Sequence, residues 1–346
     1  MATRPSDSIR DVAELEEILS EPTPETIATM RSLDGDIVIL GVGGKMGPSL
    51  ARMAKRASDL AGVSRRVIGV SRFSTPGLPS KLQSWGVETR SCDLLDFASY
   101  AQLPEAANVV YMAGMKFGST GQQSLTWAMN TYLPGPVSER YRDSRIAVFS
   151  TGNVYGLSPV RCGGSREEDP LRPVGEYALS CVGRERIFEH FSRTNRTKMS
   201  ILRIYYSTEL RYGVLMDVAQ LVLAGKPVPL AMGYFCAIWQ SDAVAMSLQS
   251  LAHVASPPLV LNIAGPELFR VRSVAEEFGK CMGKSLRFEG VEGDDALICN
   301  SGRAMQLFGH PRVSPAQMMA WIADWAVRGG ESLAKPTHFE NRAGDF

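Results

Sequence analysis

A chain of 346 residues can bury a sizeable core, as one large domain or as two. Hydrophobic residues make up 45% of it and charged residues 21%, and 37 Lys and Arg against 36 Asp and Glu leave a net charge of +1. That balance argues against nucleic acid as a partner and against electrostatic attachment to a membrane, and no apolar run is long enough to span a bilayer.

Residues 1–35 are polar and carry two short helical patterns, split by Glu21-Pro22-Thr23-Pro24. The texture then changes to short β-rich runs alternating with longer amphipathic stretches. The runs are Ile37-Val38-Ile39-Leu40, Val67-Ile68-Gly69-Val70, Val109-Val110-Tyr111-Met112 and Ile146-Ala147-Val148-Phe149. Between the first two, Leu50, Met53, Ala54 and Ala57 follow the spacing of one helix face. Continuous apolar strands separated by helices predict a parallel sheet covered on both faces, an α/β doubly wound fold. Past residue 205 the alternation loosens. Helices are expected near 211–226, 241–255, 271–283 and 314–328, with strand-like runs at 199–204 and 259–264. The expected division is an extension over 1–35, a nucleotide-binding domain over 36–204, a smaller substrate-binding region over 205–328 built on the sheet, and a loosely held tail over 329–346. Six scattered cysteines without a CxxC pair and four dispersed histidines suggest neither a disulfide framework nor a metal site. With no apolar signal-like stretch at the N-terminus, the expected compartment is a reducing cytoplasm.

Strand one runs into Leu40-Gly41-Val42-Gly43-Gly44-Lys45-Met46-Gly47-Pro48. Gly41, Gly44 and Gly47 stand three apart at a strand-to-helix turn. The first permits the tight turn, the second lets backbone approach a pyrophosphate, and the third lets the helix pack closely, its N-terminus attracting phosphate charge. Lys45 and Met46 belong to the same binding loop. The second strand ends in Ser71-Arg72 rather than an acid, which suits the 2′-phosphate of NADP, with NAD also admitted. Asp93 is placed to accept from the adenine amino group or to cap the following helix.

Further ordered motifs are Ala113-Gly114 after strand four, Asn130 in the next helix, Ser150-Thr151-Gly152-Asn153-Val154-Tyr155-Gly156 after strand five, and Tyr177 at a helix start. With the glycine triplet they resemble the extended short-chain dehydrogenase/reductase family, in its NAD(P)-dependent epimerase/dehydratase branch, over roughly residues 36–328. The resemblance implies a Rossmann-type sheet and an active site in which Thr151 and Tyr177 hold the substrate oxygen. It also implies that Ala113, Gly114 and Asn130 shape the cofactor site. The family lowers its tyrosine's pKa with the cofactor and with a lysine four residues later. This chain reads Tyr177-Ala178-Leu179-Ser180-Cys181, so that lysine is absent. Each pKa unit not recovered costs about tenfold in phenolate population. Arg184 and Arg186 follow on the same helix. Lys116, in a loop where nucleotide-sugar epimerases of the family carry Ala-Gly-Leu-Lys, is the expected surrogate charge, the alternative being a phosphate-binding role.

On the substrate side, Tyr206 and Phe235 stand where nucleotide-sugar members carry an Asn and an Arg. This points to a smaller, unactivated sugar or polyol. Tyr206 and Trp239 are candidate stacking surfaces, with burial in the core as the alternative, and Arg211 a candidate carboxylate binder or surface ion pair. The expected activity is that of an NAD(P)-dependent epimerase or dehydrogenase. The alternative is a dinucleotide-binding sensor or scaffold weakened by the missing lysine. By resemblance, the helices near 120–140 and 177–194 would form a homodimer interface.

Overall fold

In the computed structural model, the described residues are 8–116 and 118–344. A seven-stranded parallel sheet forms the centre. Its first five strands in chain order are β1 (Ile37–Leu40), β2 (Val67–Ser71), β3 (Glu88–Ser91), β4 (Asn108–Tyr111) and β5 (Arg145–Thr151). Strands Met199–Ile204 and Leu259–Ile263 complete it, and the spatial order is Leu259–Ile263, Met199–Ile204, β5, β4, β1, β2, β3. Chain order reverses direction at β1, so the crevice beyond the carboxyl ends of β1 and β4 is the topological switch point where ligands of such sheets bind. All four residues of β1 are buried, because helices cover both faces. The edge strand β3 reads Glu-Thr-Arg-Ser and is mostly exposed, which discourages pairing with another sheet edge.

Seven helices frame this half. They are α1 (Val12–Leu19), α2 (Pro24–Ser32), α3 (Gly47–Leu60), α4 (Leu78–Ser84), α5 (Gln123–Trp127), α6 (Pro134–Arg140) and α7 (Gly175–Asn195). The expected face of α3, from Leu50 to Ala57, is buried. A π-helical turn, Ala128–Tyr132, joins α5 to α6 and carries Asn130. The C-terminal helices are Val214–Leu223, Gln240–Gln249, Val271–Met282, Gly302–Phe308 and Pro315–Val327. A small second sheet, strands Tyr206–Thr208, Tyr234–Trp239 and Leu268–Arg270, went unpredicted because its strands are short and partly aromatic.

The two ends of the described chain are both packed. The extension is capped, Asp11 accepting from the Glu14 amide and Thr23 from the Thr26 amide, and it reaches two cores. Leu15 and Leu19 are buried with Val214, Trp239 and Trp321 of the C-terminal region, and Met30 and Leu33 with Ile37 and Met53 of the sheet half. Glu16 pairs with Lys81 on α4 and with Arg211 in the C-terminal region. The tail, expected to be loosely held, is pinned instead. Thr337 donates through both its amide and its hydroxyl to Asp217, and Phe339 is buried. No helix among the described residues is long and apolar enough to cross a membrane.

Candidate functional site

The glycine turn has the geometry its spacing predicts. Gly41 adopts φ +90°, and a Cβ there would lie 2.6 Å from the Ala113 amide nitrogen. A Cβ on Gly47 would come within 2.1 Å of the Val42 carbonyl oxygen, so α3 approaches β1 only because that residue is glycine. Gly44 is different: its Cβ would meet nothing closer than 3.5 Å, and the residue faces open space. Such a loop, at the N-terminus of α3, fits the pyrophosphate of a dinucleotide.

Two cavities meet along this loop. One, of about 210 Å³, is lined by Gly41, Gly44, Ser71, Arg72, Asp93 and Ala113. Arg72 and Asp93 are largely exposed and face each other at 3.9 Å, and Asp93 accepts from the Leu95 amide as a cap would. The other cavity, of about 280 Å³, shares Gly41, Gly44 and Gly114 with the first and is also lined by Lys45, Met46, Lys116, Thr151, Tyr177 and Tyr206.

Thr151 ends β5 and Tyr177 opens α7, and their hydroxyls are hydrogen-bonded. Burial raises the Tyr177 phenol well above the ordinary tyrosine value, and Cys181 adds to this. Arg184 and the Thr151 hydrogen bond act in the opposite direction. Cys181, one turn on, is fully buried and its own pKa is raised by that burial, so it is a neutral thiol. One further turn brings Arg184 onto the same helix face. Its guanidinium donates to the Phe149 carbonyl at 2.9 Å and to Asn130 Oδ1, and it lines the cavity. A Cβ on Gly114 would sit 2.2 Å from Arg184 Nη2, so the glycine makes room for the guanidinium beneath the loop after β4. Asn130 closes this arrangement. Its Nδ2 donates to the Met115 carbonyl and to Ser180 Oγ, each at 2.9 Å, and its Oδ1 accepts from the Met115 amide at 2.9 Å. The π-helical turn thus fixes the loop that carries Lys116.

Lys116 Nζ stands 5.8 Å from the centroid of the Tyr177 ring, and burial lowers its pKa to about 8. Lys45 leaves the glycine turn and crosses the cleft to the Ser207 carbonyl at 2.7 Å, with Nζ 3.9 Å from the Tyr212 ring centroid. Burial lowers its pKa to about 7. Glu209 opposes that shift, and Arg211 and Lys116 add to it.

Two candidate substrate residues lie elsewhere. Trp239 is fully buried in the core against Trp321, at 5.3 Å between ring centroids, because its strand turns that side chain away from the cleft. Arg211 is committed to Glu209 and, at 3.6 Å, to Glu16. The neighbouring aromatic Phe235 stacks on Phe269. Arg184, weighed in sequence as a base near the face of Tyr177, lines the cavity, and Ser207 and Tyr212 are among the lining residues that sequence reasoning did not include. The i, i+4, i+7 spacing of Tyr177, Cys181 and Arg184 is what puts Arg184 near that face.

The model of the NAD dependent epimerase/dehydratase family matches residues 37–208, and the chain belongs to that family. No curated protein matches the sequence. Among solved structures, the UDP-glucuronic acid 4-epimerase of Bacillus cereus, in complex with UDP-glucuronic acid and NAD, is similar at 17% identity and a TM-score of 0.70, covering 85% of this chain and 99% of its own. The dTDP-glucose 4,6-dehydratase of Bacillus anthracis, with NAD, gives 16% and 0.71 over 85% and 97%. The UDP-glucose 4-epimerase of Thermotoga maritima, with UDP-glucose, gives 16% and 0.69 over 85% and 99%. At such identities the likeness establishes the shared fold. It gives no support to the expectation of a substrate without a nucleotide, since the two epimerase structures hold UDP-sugars.

Proposed function

We propose that the protein binds a nicotinamide dinucleotide along the Gly41–Gly47 turn and catalyses hydride transfer at a carbinol carbon of a sugar derivative, as an epimerase or a dehydrogenase. The observation that carries this reading is the hydrogen-bonded Thr151–Tyr177 pair inside the cavity that opens on the glycine turn. The backbone of Gly41, Gly44 and Gly47 would hold the pyrophosphate. Ser71 and Arg72 would face the ribose 2′ position, and Asp93 the adenine. Arg72 suits a 2′-phosphate, so NADP is the proposed cofactor, although the solved relatives named above with a cofactor hold NAD.

A dinucleotide bound there supplies hydride acceptance and return. The protein's own groups manage the proton. Thr151 donates a hydrogen bond to the substrate oxygen, and Tyr177 as phenolate takes the hydroxyl proton when a carbonyl forms and gives it back on reduction. Arg184 and Lys116 are the cations that favour the phenolate, the first held rigidly through Asn130 and Phe149 and the second from the loop after β4. One observation favours the second reading, a dinucleotide-binding sensor: Cys181 stands one turn from the phenol where a cation would serve it.

The test is to denature freshly purified protein and identify the released nucleotide by chromatography. Near-stoichiometric NADP or NAD supports a cofactor retained through turnover, as an epimerase needs, and its phosphate decides the role of Arg72. Protein that releases none but binds added NADP or NAD fits an exchanging dehydrogenase or a sensor. Protein that neither carries nor binds a dinucleotide refutes the proposal.

A further inference from the structure

We propose that Lys45 recognises a carboxylate or phosphate carried on the sugar itself, close to the reacting carbon; the assignment rests on the hydride-transfer reading above. The glycine turn needs only backbone to meet a pyrophosphate, yet this one carries a lysine whose ammonium ends on the opposite wall, at strand Tyr206–Thr208. An ammonium has three N–H donors. Its hydrogen-bond acceptor among the described residues is the Ser207 carbonyl, and its other contact is the face of Tyr212. Glu209, the nearest acid to act on it, is already engaged by Arg211, which donates to both Glu209 oxygens at 3.0–3.2 Å through its amide and Nε. Lys116 and Arg184 line the same cavity, and among the described residues no Asp or Glu does. Three basic side chains in a cleft that no carboxylate of the described residues lines are costly to hold charged, and an anionic group on the ligand offsets that cost. The cavity holding Lys45 is the one that holds Thr151 and Tyr177, whereas Arg72 and Asp93 line the other.

The test uses the full chain saturated with the dinucleotide it binds. Calorimetric titrations compare D-glucuronate and D-glucose 6-phosphate with D-glucose, and UDP-glucuronate with UDP-glucose. At least one acidic sugar is expected to bind about tenfold or more tightly than its neutral counterpart, as a charge-assisted hydrogen bond gives. Lys45→Met should erase that difference, and Lys45→Arg should retain most of it. Equal loss of UDP-glucose and UDP-glucuronate in Lys45→Met would assign the ammonium to the substrate diphosphate and overturn the proposal. A tenfold loss of dinucleotide affinity would assign it to the cofactor, with the same consequence. Acidic sugars that bind no better than neutral ones, or no binding by any of the five, overturn it while the dinucleotide reading stands. A chain that binds no dinucleotide removes that reading, and this proposal with it.

Discussion

Tyr177 sits among Thr151, Cys181 and Arg184: burial and Cys181 hold the phenol protonated, and the Arg184 guanidinium and the Thr151 hydrogen bond oppose them. Replacing Arg184 with Met removes a group that lowers the phenol's pKa, so the basic requirement in a turnover profile should move to higher pH. Each unit of that movement costs about tenfold in rate near neutrality. Arg184→Lys should recover part of it, and Cys181→Lys, which returns a cation one turn from the phenol, should recover more in the Arg184→Met background. A purely structural role for Arg184 would lower stability and leave the profile in place.

Lys45 gives a second test at this scale. Its folded pKa lies near 7, well below the value of a free lysine. Between these values the unfolded chain binds more protons than the folded one, so this group makes the folded state gain stability as pH rises from about 7 toward 10. Lys116 acts in the same sense from about 8. The melting temperature of Lys45→Met should therefore change less between pH 7 and 9 than that of the parent protein, as scanning calorimetry would report. An unchanged slope would mean that the lysine keeps an ordinary pKa in the folded state.

Among the elements, α1 and α2 have a role that polarity alone disguised. Leu15 and Leu19 enter the C-terminal core while Met30 and Leu33 enter the core against the sheet, so one short segment joins both halves of the molecule. Glu16 and Glu17 add ion pairs to Lys81, Arg211, Arg52 and Arg56. Leu19→Ala, at a fully buried position, should cost about 2–5 kcal/mol, read as a lower urea midpoint. Dinucleotide affinity measured well below that midpoint should be retained, since no residue of α1 lines either cavity of the cleft. The helical spacing of α1 and α2 could be read from Pro22, Pro24 and the apolar positions. The partners of α1 could not, because Val214, Trp239 and Trp321 lie some 200 to 300 residues away in sequence.

For the molecule as a whole, an apolar surface that the site does not account for lies on the turn after α5, on α6 and on α7, where Trp127, Tyr132, Gly135, Ile187 and Phe191 line an open groove. Trp127 and Tyr132 remain 39% and 60% exposed, a high value for aromatic side chains grouped on one face. We expect two copies to pair through this face. Light scattering should give twice the chain mass, and Phe191→Glu should give a single chain with the fold intact by circular dichroism. A single-chain mass for the parent protein would dispose of the expectation.

The sheet half was legible in sequence because its information is local. Four apolar runs, the glycine triplet and the placement of Thr151, Asn130 and Tyr177 each announce a strand end or a helix start, and chain connectivity then brings the strand ends together. By itself the sequence thus determined the central fold and the family, and showed that the lysine after Tyr177 is missing. What the tertiary structure decided depends on distance across the fold. It put Trp239 in the core instead of the cleft, tied Arg211 to Glu209 and Glu16, and pinned the tail through Thr337 and Asp217. It also carried Lys45 over to Ser207, 162 positions on, and set Arg184 beneath Gly114. The direction of a long side chain follows from what is packed around it, and packing is fixed by residues that periodicity and motif spacing do not relate.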